Sequence, residues 1–299
     1  MTLLVAGSVA FDTVETPYGK REDILGGSAT YFALSARFFT KPRIVAVVGT
    51  DFDEKYLNLF KKNGIDIQGL EIKEGKTFRW SGVYSDDLNR RTTLRTDLNV
   101  FEKFSPELKD ELAKSTTIFL ANIQPDLQLK ILEQMKNPKI IALDTMNHWI
   151  TGQKDFLIEA IEQSNIFFVN DEEAFLLSGE RNAAKACKKI MNWGPEIIIY
   201  KKGEHGSIIF YKDKVFAIPG FPVEDAKDPT GAGDSFAGGL LGFIDMQGEL
   251  NWEIIKKGAV WGTIIASFTV EDFGPEKLLN IDKNNLKDRL NQFRKMTYF

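Results

Sequence analysis

Short runs of apolar residues recur along the chain, and stretches with helical spacing separate them. The apolar runs cover residues 3–6, 44–48, 117–120, 140–143, 166–169 and 197–200. Stretches such as 53–63, 127–135 and 183–193 place apolar residues three or four positions apart, which predicts helices. Uniformly apolar strands that alternate with helices indicate a mostly parallel sheet covered on both faces. The pattern therefore predicts a doubly wound α/β fold with helices on both faces.

Two stretches depart from this rhythm. Residues 12–25 and about 71–100 are polar, and residues 78–84 alternate between apolar and polar positions. Alternation is typical of strands with one solvated face, as in antiparallel sheets. We interpret these stretches as a small antiparallel β lid that projects from a single domain spanning residues 1–299. Because unpaired strand edges invite association, the lid also predicts a homodimer.

Composition limits the classes of partner. Lys and Arg total 38 and Asp and Glu total 42, a net charge of −4 without the basic excess of nucleic-acid-binding domains. The one cysteine, Cys187, excludes a disulfide within the chain and a cysteine-rich zinc site. The first residues do not read as a signal peptide, and no apolar run approaches the about 18 residues of a membrane span. We expect a cytoplasmic protein that binds neither nucleic acid nor membrane.

Residues 228–239 carry the strongest chemical signal in the chain. They read Asp-Pro-Thr-Gly-Ala-Gly-Asp-Ser-Phe-Ala-Gly-Gly, and apolar residues follow at helical spacing. The Gly-Ala-Gly run therefore lies at a helix N-terminus, where free backbone N–H groups and the helix dipole favour an anion. Asp234, in the first turn, is placed to accept the proton of a hydroxyl during phosphoryl transfer. The alternative interpretation is that Asp234 only caps the helix.

This segment resembles the C-terminal signature of the ribokinase-like (PfkB) carbohydrate kinases, with Pro229 in place of a usual Thr. The resemblance implies an ATP-dependent kinase in which Asp234 is the catalytic base. It implies that the backbone N–H groups of Ala232, Gly233 and Asp234 form an anion hole. It also implies that Gly231 shapes the loop before the helix.

The resemblance also implies positions for cations. Asn170 and Glu173 follow the apolar run 166–169 and resemble the family's Asn-x-x-Glu element, which organises Mg²⁺ and its waters near the phosphates. An Asn N-cap followed by acidic residues is also ordinary chemistry for a helix start. Asp228 and Thr230 take positions that hold a monovalent cation in several members, so K⁺ is a further candidate.

Three motifs resemble the substrate site of the family. Asp12 resembles the acidic residue after the first strand, which contacts substrate hydroxyls. Gly26 and Gly27 resemble the N-terminal Gly-Gly signature, whose backbone lies against the sugar. Tyr31 stands where Asn is usual, so we predict that its hydroxyl contacts the substrate. Because a Tyr hydroxyl cannot make the paired contacts of an amide, ribose specificity by that route is not expected.

Residues 200–206 resemble the family's turn after a late strand, Thr-x-Gly-x-x-Gly, which supports the nucleotide. Gly203 and Gly206 match its glycines, and Lys201 stands where many members have Thr. We therefore predict that Asn170, Lys201, Gly203 and Gly206 bind ATP. Residues 259–274 resemble the last helix of the family, which often forms a wall for the adenine.

Two substrate classes fit this kinase hypothesis, a small sugar and a nucleoside. Phe78, Trp80 and Tyr84 lie in the predicted lid, where an aromatic ring can stack on a nucleobase or simply pack within the sheet. Four arginines add positive charge near the lid: Arg79, Arg90, Arg91 and Arg95. This charge would favour an already phosphorylated sugar, and the alternative is that most of the four are solvated. A non-catalytic nucleotide or sugar sensor is the alternative of another class, and the intact Gly-Ala-Gly-Asp opposes it. A Rossmann dehydrogenase is disfavoured because no Gly-x-Gly-x-x-Gly follows the first strand.

Overall fold

The computed structural model describes residues 1–298, in which the strands form two sheets. The strands are β1 (Leu3–Ala6), β2 (Ala10–Thr16), β3 (Gly19–Gly26), β4 (Arg43–Gly49), β5 (Asp66–Lys73), β6 (Arg79–Tyr84), β7 (Arg91–Asp97), β8 (Thr117–Leu120), β9 (Ile140–Leu143), β10 (Ile166–Asn170), β11 (Ile197–Lys201), β12 (Ser207–Tyr211) and β13 (Lys214–Ile218). The main sheet has the order β13-β12-β11-β10-β9-β8-β1-β4-β5.

Helices cover both faces of this sheet. They are α1 (Ser28–Ala36), α2 (Glu54–Lys62), α3 (Asp110–Ala113), α4 (Pro125–Leu132), α5 (Asn147–Gly152), α6 (Lys154–Glu162), α7 (Asp171–Ser178), α8 (Ala183–Met191), α9 (Ala232–Gln247), α10 (Trp252–Thr269), α11 (Glu276–Leu279) and α12 (Lys283–Thr297). Within residues 1–298, none of these helices has the length and apolar character needed to cross a bilayer.

The apolar strands are buried on both sides, as their sequences predict. In β1, Leu3 and Val5 belong to the core that packs against α1, α9 and α10, whereas Leu4 and Ala6 belong to the opposite core with α4 and α6. Successive side chains of a strand point to opposite faces of the sheet, so a continuous apolar run contributes side chains to the cores on both faces. The predicted doubly wound α/β fold is confirmed.

The main sheet is parallel from β11 to β5, and the last two strands at its other end, β12 and β13, pair antiparallel. Strand β1 lies between β8 and β4, so the chain winds away from it in two directions. In open α/β sheets, ligands bind outside the carboxyl ends of the strands at such a switch point. The topology therefore places a binding cleft beside the loop that follows β1.

The second sheet has the order β3-β2-β6-β7 and corresponds to the predicted lid. Its outer pairs are antiparallel and its central pair, β2 with β6, is parallel. Residues 71–73 of the predicted lid belong instead to β5, which pairs with β4 in the main sheet. The central parallel pair brings two segments that are far apart in sequence to the same surface above the cleft.

Candidate active site

Asp234 lies in the first turn of α9, close enough to Asp144 and Lys201, at the carboxyl ends of β9 and β11, for their charges to act on it. The helix is preceded by Gly231, whose φ of 76° gives the turn a left-handed conformation. Burial raises the pKa of Asp234 to about 7, and the carboxylate of Asp144 adds to the rise. The cations Lys201 and Arg91 act in the opposite direction. A carboxyl group that titrates near neutral pH is suited to general base catalysis.

The turn before α9 presents fewer free N–H groups than the sequence suggests. The Ala232 N–H donates to the Pro229 carbonyl at 3.1 Å, and this bond closes the turn. Within residues 1–298, the Gly233 N–H has no protein acceptor. The Asp234 N–H lies against its own carboxylate. Of the three N–H groups predicted to form an anion hole, that of Ala232 is therefore engaged in the turn and that of Gly233 remains available. An anion hole at this turn stays a prediction.

Tyr31 lies beneath this turn. Its side chain is 1% exposed, and a Cβ added to Gly231 would lie 2.3 Å from Cγ of its ring. The ring therefore supports the loop that carries Asp234. The buried hydroxyl has no hydrogen-bond partner within residues 1–298. Burial and the nearby carboxylates of Asp228 and Asp12 raise the pKa of Tyr31 well above its usual range. Substrate contact by this hydroxyl stays a prediction.

Asp12 lies on β2, opposite the Gly-Gly pair. A Cβ on Gly26 would lie 2.0 Å from Asp12 Oδ2, and the Gly27 N–H donates to the same oxygen at 3.4 Å. Gly26 therefore makes room for the carboxylate, and Gly27 donates a hydrogen bond to it. Burial raises the pKa of Asp12 to about 7, and the charges of Asp228 and Asp234 contribute to the rise. The structure thus brings Asp12 and Asp234 to one cleft.

Asn170 and Glu173 form a reciprocal capping box at the start of α7. The Asn170 N–H donates to Glu173 Oε2, and the Glu173 N–H donates to Asn170 Oδ1, both at 2.8 Å. Asn170 and Glu173 therefore cap helix α7, as one of the two interpretations of the sequence predicts. Burial raises the pKa of Glu173 to about 7. No group of three or more His, Cys, Asp or Glu side chains suited to a metal occurs in residues 1–298. A metal here needs water or phosphate oxygens as further ligands.

Asp228 and Thr230 are already engaged within the protein. Asp228 accepts the N–H of Thr230 at 2.8 Å and the N–H of Gly274 at 3.2 Å. The Thr230 hydroxyl donates to the hydroxyl of Tyr84, a residue of β6, at 3.1 Å. The small sheet therefore contacts the loop before α9. Burial raises the pKa of Asp228.

Lys201 forms an ion pair that sequence analysis did not find. Its Nζ lies 2.9 and 2.8 Å from the two carboxylate oxygens of Asp144, which directly follows β9. The side chains are 18% and 6% exposed. An acidic residue immediately after a buried strand was the available signal, because ligands of open α/β sheets bind at the carboxyl ends of the strands.

The turn after β11 contacts the tip of the small sheet. The Asn89 side-chain amide donates to Glu204 Oε1 at 3.1 Å, next to Gly203. Gly206 has a φ of 89°, and a Cβ there would lie 2.1 Å from the Ile218 carbonyl. Gly206 thus allows two backbone segments to approach closely. Nucleotide binding by Gly203 and Gly206 stays a prediction.

The small sheet turns one face toward the cleft. Asp12 on β2 pairs with Trp80 on β6, so their side chains lie on the same face. The guanidinium of Arg91 lies 5.3 Å from the centre of the Trp80 ring. Phe78, in contrast, packs against Phe101 in the core, with ring centres 5.8 Å apart, so it does not serve as a stacking platform. Trp80 therefore lies beside Asp12 on this face of the small sheet.

Comparisons with known proteins agree on one family. The model of the pfkB family carbohydrate kinases matches residues 8–275. A cytidine kinase of Thermococcus kodakarensis is 30% identical over 248 residues, covering 81% of this chain and 87% of that protein. A nucleoside kinase of Methanothermobacter thermautotrophicus is 27% identical over 292 residues, covering 92% and 91%. The crystal structure of the Methanocaldococcus jannaschii nucleoside kinase has the same fold, with a TM-score of 0.77, 23% identity and coverage of 98% and 99%.

Proposed function

Because this chain belongs to the pfkB family of carbohydrate kinases, we propose that it transfers the γ-phosphate of ATP to a ribose hydroxyl of a nucleoside. The observation that carries the proposal is the placement of Trp80 beside Asp12 on the cleft face of the small sheet. Asp12 can accept hydrogen bonds from sugar hydroxyls, while an aromatic ring can stack on a base. The cytidine and nucleoside kinases among the relatives support the same choice.

The proposed reaction uses residues from both sheets. Bound ATP supplies the phosphoryl group. Asp12 orients the acceptor ribose, and Asp234 accepts the proton of the attacking hydroxyl as the new phosphorus–oxygen bond forms and the bond to ADP breaks. The Gly233 N–H and the N-terminal dipole of α9 stabilise the charge on the transferred group. The contacts of Tyr84 and Asn89 close the small sheet over the cleft, which excludes water.

A family kinase of this type also needs a divalent metal, for which we propose Mg²⁺. Glu173 would hold it through water, because one oxygen of its carboxylate is engaged by Asn170 and the other has no hydrogen-bond partner within residues 1–298. Asp228 and Thr230 are the proposed K⁺ ligands. The lid homodimer, the single domain over residues 1–299 and the cytoplasmic location also stay predictions.

We expect activity to rise with pH through an apparent pKa near 7. Asp234 accepts a proton only when it is ionised, and its pKa is raised to about 7. The rate should therefore fall below pH 7, where an ordinary carboxyl group, with a pKa of about 4, would still be ionised. Ionisation of Asp12 near the same pH makes the fall steeper. Initial rates between pH 5 and 9 test this, and a flat profile down to pH 5 contradicts it.

Nucleosides should be phosphorylated in preference to free sugars. We expect cytidine, uridine, adenosine, guanosine or inosine to raise the melting temperature and to cause ADP release, whereas ribose and hexoses should do neither at matched concentration. Trp80→Leu should raise KM for the preferred nucleoside about tenfold, the loss of about 1.4 kcal/mol of stacking. The matched control is Tyr18→Leu, because Tyr18 is exposed and its replacement should leave KM unchanged. Phe78 is unsuitable as a control because it packs against the core.

Two outcomes of this panel would contradict the proposal. Turnover of free sugars or sugar phosphates alone, unchanged by Trp80→Leu, would favour a sugar kinase of the same family. Stabilisation by nucleosides without any ADP release would favour a sensor that binds but does not catalyse. Mass spectrometry of the product identifies which compound carries the new phosphate.

A further inference from the structure

The ion pair between Lys201 and Asp144 lies beside the first turn of α9. Lys201 ends β11 and Asp144 follows β9, so the strand β10 separates their backbones. Both oxygens of Asp144 accept from Lys201, and Oδ1 also accepts the N–H of Thr145 at 2.9 Å. A buried ion pair contributes little net stability compared with apolar packing. Stability therefore does not explain this ion pair, and its place at the cleft points to a role in the reaction.

The ammonium group of Lys201 faces the predicted anion hole. A Cβ added to Gly233 would lie 3.7 Å from Nζ, so the ammonium lies next to the turn whose N–H is free. An ammonium group has three donors, and Asp144 takes two of them. The third is available to an anion bound at Gly233.

The surroundings keep Lys201 charged. Burial lowers its pKa, but the carboxylates of Asp144, Glu173 and Asp234 outweigh this effect, so the pKa of Lys201 is raised. A fixed positive charge beside the free N–H group of Gly233 stabilises the negative charge that spreads over the oxygens of a transferring phosphoryl group.

We propose that Lys201 is a catalytic residue whose ammonium contacts the transferring phosphoryl group, and that Asp144 is the positioning residue that holds it there. The proposal rests on the proposed kinase function. Lys201 forms no covalent bond: the acceptor oxygen bonds to the γ-phosphorus, the bond to ADP breaks, Asp234 receives the hydroxyl proton, and Lys201 keeps its own protons. Asp144 acts through Lys201 and does not touch the substrate.

Lys201→Met, which keeps the length of the side chain and removes its charge, tests the proposal. We expect kcat to fall about 10²–10³-fold, with KM for the nucleoside little changed. Lys201→Arg should restore part of the loss, and Asp144→Asn should lower kcat by a smaller factor. The matched control is Lys202→Met, because Lys202 is exposed and adjacent. Wild-type kcat in Lys201→Met would overturn the proposal.

A binding measurement separates this inference from the nucleoside assignment. By calorimetry, Lys201→Met should weaken binding of ADP with aluminium fluoride, a mimic of the transferring phosphoryl group, much more than binding of ADP alone. Equal weakening of both would overturn the proposal. If the wild-type protein binds this mimic but phosphorylates no nucleoside, the nucleoside assignment fails and the role of Lys201 is still tested.

The pH profile gives a readout that a packing role would not change. The charged and titratable groups facing Asp234 are Asp144, Lys201, Arg91, Asp12 and Tyr31. Lys201 lowers the pKa of Asp234 and Asp144 raises it. The acid limb of the rate profile should therefore move to higher pH in Lys201→Met and to lower pH in Asp144→Asn. Shifts in the same direction, or none, would contradict the proposal.

Discussion

Asp234→Asn should lower kcat by about 10³-fold and raise the melting temperature at pH 8. Asn keeps the size of the side chain but cannot accept the hydroxyl proton, and general base catalysis contributes about 10²–10⁴-fold. The folded-state pKa of about 7 exceeds the unfolded value of about 4. Ionised Asp234 therefore destabilises the fold progressively as pH rises from 4 to 7, and fully above pH 7. Removing that charge should stabilise the protein at pH 8 by a few degrees.

Paired measurements of rate and melting temperature check this prediction. Asp225→Asn is the control, because Asp225 is exposed in the loop before the same turn and should change neither quantity. If Asp234 were only a helix cap, its replacement by Asn, itself a good capping residue, would leave kcat near that of the wild type. Loss of activity together with a lower melting temperature at pH 8 would point to misfolding.

Gly231→Ala should lower the free energy of unfolding by about 3 kcal/mol and reduce activity at least tenfold. The φ of 76° penalises any residue with a Cβ, and the added methyl group would lie 2.3–2.4 Å from the ring of Tyr31. To relieve this overlap, the ring or the turn must move, and the turn carries Asp234. Urea denaturation and initial rates measure the two effects.

Gly248→Ala is the matched control for this variant. Gly248 ends the same helix α9 with a φ of 80°, but no atom lies within 4 Å of the Cβ that Ala would add. Gly248→Ala should therefore lower the free energy of unfolding by about 1 kcal/mol, from backbone strain alone, and should not change activity. If the two variants were equally unstable and equally active, Tyr31 would not support the catalytic turn as described.

The parallel strands were predictable because burial on both faces leaves a continuous apolar run in the sequence. Thr117–Leu120 and Ile140–Leu143 have the predicted bounds. The antiparallel strands β12 and β13 also contain apolar runs, at residues 208–211 and 215–218, but β13 is exposed at Val215. An apolar run alone therefore does not separate a strand buried on both faces from a strand at the sheet edge. The parallel pairing of β2 with β6 depends on tertiary contacts between distant segments, which local alternation cannot reveal.

The place of a site residue was predictable where the residue belongs to a short sequence motif. It was less predictable where the residue contacts side chains that are distant in sequence. The turn containing Asp234 follows from its glycines, and Asp12 from its place after the first strand. The pairing of Asp144 with Lys201 spans 57 positions and arises only when β9 and β11 align in the sheet. The packing of the Tyr31 ring on Gly231 was not predictable, because it arises only when helix α1 carries the ring beneath the turn. Substrate contact by the Tyr31 hydroxyl stays a prediction.

The central claim is that Asp234 activates a nucleoside hydroxyl for phosphoryl transfer from ATP. The most direct test follows γ-labelled phosphate from ATP into product, with the preferred nucleoside, in wild-type protein and in the Asp234→Asn variant at pH 8. We predict labelled nucleoside monophosphate from the wild type and about 10³-fold slower formation by the variant. Equal rates of labelled product from both proteins would contradict the claim.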